Sequence, residues 1–127
     1  MRDQLLEAGI GALDAVVYTH SHADHMHGID DLRQITYRLR ARIPVWADGP
    51  TQDALLSRFG YAFVQPDGSS YPPICDLHTI RGPATVEGAG GAITACTDTG
   101  GATGAGGAFF SVRADWSSES PRGRPLP

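Results

Sequence analysis

Four of the chain's five histidines, His20, His22, His25 and His27, fall within eight residues. Directly before them stands Ala15-Val16-Val17-Tyr18-Thr19, a short apolar, β-branched run of the kind that forms a buried strand. A buried strand that runs out into a polar loop aims side chains at the crevice along the carboxyl edge of a parallel sheet. That crevice is where α/β folds take their ligands. Helical order follows, because Ile29, Leu32, Ile35 or Thr36, and Leu39 recur at helical spacing between Ile29 and Arg42. Asp30 and Asp31 at the start of this helix, and Arg38, Arg40 and Arg42 at its end, complement the helix dipole.

The cluster has metal-binding chemistry written into its spacing. In extended chain, residues two apart point the same way, so His20 and His22 can reach one ion. If the chain then turns into the helix, Asp24 and His25 present an oxygen and a nitrogen to a second point nearby. Imidazole with carboxylate suits zinc, manganese or iron, and the lack of neighbouring thiolates argues against a structural Cys-type zinc site. Two ions roughly 3.5–4 Å apart can hold a bridging hydroxide and clamp both oxygens of a displacement. A tag-like exposed loop is the plainer alternative. The buried strand before the cluster and the Asp inside it speak against that.

The rest of the first 81 residues reads as alternating elements. Asp3 to Ala8 looks helical, with Gly9 or Gly11 able to supply a left-handed stop. Pro44-Val45-Trp46-Ala47 is a second short strand, and Thr51 can cap a helix that runs through Phe59 to Gly60. Strand, helix, strand, helix make a βαβα unit with parallel strands. Tyr61 to Pro73, with Pro66-Asp67-Gly68 and Pro72-Pro73, reads as an excursion loop. Beyond residue 81 the composition changes. Gly88 to Gly107 holds eight glycines and the single charge Asp98, and Val86 and Ile93 are the only large apolar residues between Gly82 and Ala108. Such a stretch loses much entropy on ordering and has little to bury in return. Residues 82–127 are therefore expected to form a poorly ordered, low-complexity segment.

Composition narrows the class of function. The 127 residues suit one domain, and a formal net charge of −4 argues against a general nucleic-acid or anionic-membrane binder. All ten basic residues are Arg, which excludes a Schiff-base Lys and the Lys of a phosphate-binding loop. Gly100 to Gly107 therefore only superficially suggests such a loop. Two cysteines, Cys75 and Cys96, lack metal-ligand spacing and read as ordinary thiols. No stretch approaches the 18 or so apolar residues of a membrane span, and no signal peptide is evident. A cytoplasmic location is expected. His27 reads as a polar residue at the helix start, His78 as a half-buried strand histidine, and Arg33, Arg38, Arg40 and Arg42 as a solvated helix face.

His20-Ser21-His22-Ala23-Asp24-His25 resembles the H-x-H-x-D-H signature of the metallo-β-lactamase-fold hydrolases, in its flanking strand and helix as well. The extension Met26-His27-Gly28-Ile29-Asp30-Asp31-Leu32-Arg33 is similar to the branch that includes the phosphoribosyl cyclic phosphate phosphodiesterases. So are Arg58-Phe59-Gly60-Tyr61-Ala62-Phe63 and Ser69-Ser70-Tyr71-Pro72-Pro73. The resemblance covers residues 1–81. It implies an α/β chain holding part of an αββα sandwich, with His20 and His22 on a first metal and Asp24 and His25 on a second. It further implies two divalent ions, zinc foremost, a small phosphorylated substrate, metal-bound hydroxide as nucleophile, and Asp24 orienting it. Family members are about twice this length and add a later His, a bridging Asp and a final His. Here only His78 follows the cluster, and Asp98 and Asp115 lack the surroundings of a bridging Asp. Two readings result: a phosphodiesterase-like metal-dependent hydrolase, or a truncated or frame-shifted fragment with an incomplete metal site and no turnover. A homodimer would be one route to the missing ligands.

Overall fold

The computed structural model describes residues 1–88 and 91–95. Its centre is a three-stranded parallel sheet in the order β1 (Val16–Tyr18), β2 (Ile43–Ala47), β3 (Cys75–Thr79). Helix α1 (Arg2–Glu7) precedes β1, and the one-turn α2 (Ala23–Met26), a 3-10 turn (Ile29–Asp31) and α3 (Leu32–Leu39) connect β1 to β2. Helix α4 (Gly49–Phe59) and a second 3-10 turn (Gly60–Ala62) connect β2 to β3. This is the α/β organisation with parallel strands that the residue pattern predicts.

Burial explains the strand pattern. Along β2, Ile43, Val45 and Ala47 are fully buried while Pro44 and Trp46 are half-buried, so one face of the strand meets the core. That core joins Val16 and Tyr18 of β1 to Met26, Ile29, Leu32, Leu55 and Ile74. A proline within a central strand ordinarily breaks a ladder. Here Ile43 N–H donates to Ile74 on the β3 side, so the nitrogen of Pro44 faces β1, whose pairing begins only at Val16 opposite Val45. No ladder bond is lost.

Several boundaries differ from the sequence expectation. Helix α1 ends at Glu7 with Gly9 at φ +67°, as its glycine suggests. The helix expected over Ile29 to Arg42 begins as a 3-10 turn and stops at Leu39, because Arg40 adopts the left-handed conformation at φ +53°. Leu39 is consequently 38% exposed and leaves the core stripe, whereas Ile35 and Thr36 both stay in it. Helix α4 is capped by Asp48, not Thr51. The Asp48 carboxylate accepts from Thr51 N–H at 3.0 Å, and Pro50 occupies the first turn. Thr51 itself is buried.

The stretch Tyr61 to Pro73 is anchored more firmly than an excursion loop. Ala62 and Phe63 insert into the core, and Ile74 N–H donates to the Ala62 carbonyl at 2.9 Å. The turn at Pro66 is present, with Ser69 N–H donating to the Pro66 carbonyl. Past residue 81, β4 (Ala84–Gly88) and β5 (Gly91–Ala95) form an antiparallel pair, with the Thr85 and Thr94 hydroxyls 3.1 Å apart. Gly88 packs against the Asp14 side chain, which leaves no room for a Cβ and brings this ribbon to the segment entering β1. The remainder of the expected low-complexity segment, with Cys96, Asp98, Gly100 to Gly107 and Asp115, lies outside the described residues.

Candidate metal centre

The carboxyl end of β1 delivers the histidine cluster. Tyr18 is buried at the strand's last position, and Thr19 and His20 emerge directly from it. His22, extended at φ −67° and ψ 146°, is the residue entering α2. The cluster is thus not wholly a loop: Asp24 and His25 ride on a single helical turn, which sets the His25 ring against His20 at the strand end.

The side chains gather closely. The His20 ring lies 4.5 Å from that of His22 and 4.4 Å from that of His25, centroid to centroid. The Asp24 carboxylate approaches His25 Nε2 at 3.3 Å; Asp24 is 79% exposed and His25 25%. The Thr19 hydroxyl meets His20 Nδ1 at 2.9 Å. Loss of hydration, then the His25 and His22 rings, hold the His20 pKa below its ordinary value, against an opposing pull from Asp24. A neutral imidazole keeps a lone pair for a ligand bond at neutral pH.

Three imidazoles and a carboxylate are the right donors for a divalent transition metal. Their arrangement falls short of a finished site. Among the described residues no group of three or more His, Cys, Asp or Glu side chains is disposed to hold one ion. The structure therefore brings His20, His22, Asp24 and His25 into one cluster without converging three of them on a point.

The other histidines and the nearby charged residues do not join the cluster. His27 is exposed, its ring edge-on to Phe59 at 5.5 Å. His78 is half-buried on β3 and stacks on Trp46 at 4.7 Å, as a strand histidine does. Asp31 accepts from the Arg2 backbone N–H at 2.7 Å, and Asp30 from the Tyr61 hydroxyl at 2.7 Å, so both tie elements together. Arg42 pairs with Asp76 at 3.1 Å, and Arg33 lies over the Tyr71 ring. Cys75 is a buried free thiol.

Two residues beside the cluster escape a reading by motif alone. Thr19 has only its adjacency to His20 to mark it. Arg58, 37 positions from Ser21, donates to the Ser21 carbonyl at 2.9 Å and to the Met26 sulfur at 3.3 Å. Its signal in the sequence was the Arg58-Phe59-Gly60-Tyr61 stretch, which carries no role until the fold places it.

Apolar space adjoins the cluster. A cleft of about 470 Å³ runs from Asp24, His25 and Gly28 along Met1, Leu5 and Ile10. No helix among the described residues is long and apolar enough to cross a membrane.

Comparison with known proteins adds a lineage. Residues 2–116 match the model of a beta-lactamase superfamily domain, a match that runs past residue 81. Over 62 residues the chain is 44% identical to a protein of Porphyromonas gingivalis named octanoyltransferase. The matched stretch is 49% of this chain and 12% of that protein's length.

Proposed function

The chain belongs to the beta-lactamase superfamily, and from that premise we propose that it is a metal-dependent hydrolase acting on a small phosphodiester. The observation that carries this reading is the packing of three imidazoles and a carboxylate at the carboxyl edge of a parallel sheet. His20 and His22 would hold one divalent ion, and Asp24 and His25 a second, with zinc foremost and manganese or iron also suited to these donors. Bound there, such ions supply Lewis acidity at the phosphoryl oxygen and lower the pKa of water toward neutrality.

The chain's own residues account for the remaining steps. The Thr19 hydroxyl engages His20 Nδ1, which leaves Nε2 as the ligating nitrogen and sets the ring's direction. Asp24, whose carboxylate is 79% exposed, would orient the attacking water toward phosphorus. The absence of lysine leaves arginine as the cationic side chain that can face a phosphate oxygen.

A second reading is favoured by the missing convergence of three donors among the described residues. In it the chain alone binds metal weakly and turns nothing over. Metal content after equilibration with zinc, measured by mass spectrometry beside hydrolysis of bis(p-nitrophenyl) phosphate, separates the two. Stoichiometric metal with turnover lost in His22→Ala supports the hydrolase. Substoichiometric metal without turnover supports the second reading.

A further inference from the structure

The stretch with His20 and His22 meets the helical turn with Asp24 and His25 through the His20–His25 ring contact, and neither segment is long regular structure. Helix α2 is four residues long, and His22, which precedes it, makes no side-chain capping bond. One turn of helix is marginal without tertiary support. Within the turn, His25 and Met26 N–H donate to the His22 carbonyl and His27 N–H to that of Ala23, beside the Asp24–His25 side-chain approach at 3.3 Å.

The Arg58 guanidinium bridges the two halves, alongside the contact between the His20 and His25 rings. Arg58 lies in the last turn of α4, and its Nη1 donates both to the Ser21 carbonyl, between His20 and His22, and to the sulfur of fully buried Met26. Its neighbours extend the grip: Phe59 meets His27 edge-on, and the Tyr61 hydroxyl donates to Asp30. We infer that Arg58 is a positioning residue, whose guanidinium sets the His20–His22 pair against the Asp24–His25 pair. A charged donor to a carbonyl is stronger than a neutral one and directional. Held by it, the peptide between the two histidines cannot rotate independently of α2. The inference rests on the reading of these four residues as metal ligands, and its first measurement does not depend on metal.

The test compares the unsubstituted chain with Arg58→Met, which keeps the aliphatic stem, and Arg58→Lys, which keeps one positive donor. In the metal-free protein, long-range nitrogen–proton spectra of the imidazoles should show His20, His22 and His25 displaced in Arg58→Met. His78, stacked on Trp46, should stay put. Cobalt(II) titration followed by its visible absorption should show affinity about tenfold weaker, the lower end of what losing support outside the ligands costs. Arg58→Lys should recover part of both. Unchanged imidazole resonances in Arg58→Met overturn the inference. If Arg58→Met does not fold, resonances in Arg58→Lys identical to those of the unsubstituted chain overturn it instead. Failure of the unsubstituted chain to bind cobalt sinks the metal reading alone, and the imidazole comparison still decides Arg58.

Discussion

Side chains of one type carry different burdens in this chain. His78 stacks on Trp46 within the sheet, so His78→Ala should lower stability by about 1 kcal/mol, the scale of an aromatic pair. It should leave bound metal unchanged, whereas His22→Ala should reduce metal and leave thermal melting nearly unaltered, since His22 is exposed. Melting curves and metal analysis on both variants check this pairing. Cys75 is fully buried, and loss of hydration, with Asp76 nearby, pushes its thiol up to about 12, against a pull from Arg33. It should resist a disulfide reagent such as dithionitrobenzoate at pH 8 in the native chain and react at once in denaturant. At this scale the four proposed ligands were legible, because motif spacing survives in any fold that places a strand before them. Arg58 and Thr19 were not: their roles consist of contacts, and a contact across 37 positions leaves no local trace.

Elements show where local rules were overruled. Helix α4 takes its cap from Asp48 because β2 ends at Ala47, which leaves the next carboxylate beside the first free N–H groups. Asp48→Ala should therefore cost about 1 kcal/mol, while Thr51→Ser should cost less. Leu55 is fully buried where α4 meets the sheet, so Leu55→Ala should cost about 2–5 kcal/mol depending on how far the site collapses. Chemical denaturation of the three variants gives the ordering. The helix after the cluster was legible by its period but not by its end. Arg40 turns left-handed there without a glycine to announce it, and the chain then enters β2 with Ile43 and Val45 facing the core. Gln52 adds a contact of the same hidden kind. Its amide donates to the Ala47 and His78 carbonyls and the Thr79 hydroxyl, tying the carboxyl ends of β2 and β3.

Across the whole molecule, several acidic groups ionise late because folding keeps them neutral. Burial raises the Tyr18 hydroxyl, burial and the Asp30 bond push Tyr61 up to about 12, and Cys75 is raised likewise. A raised folded pKa means that the unfolded chain loses its proton first. The stability these groups contribute is then complete below about pH 9 and is lost as pH rises toward 12. Thermal melting should accordingly fall between pH 9 and 11, with little change between pH 7 and 9 attributable to these groups. Residue order alone carries the strand–helix alternation, the parallel α/β class and the identity of the clustered histidines. Those depend on period, β-branching and spacing, which neighbouring residues establish. It took the folded chain to bring Arg58 to the cluster, to make Ala62 and Phe63 core, and to let Pro44 cost β2 no hydrogen bond. Each depends on which atoms of distant segments share a few ångströms, and that is settled by packing the whole chain at once.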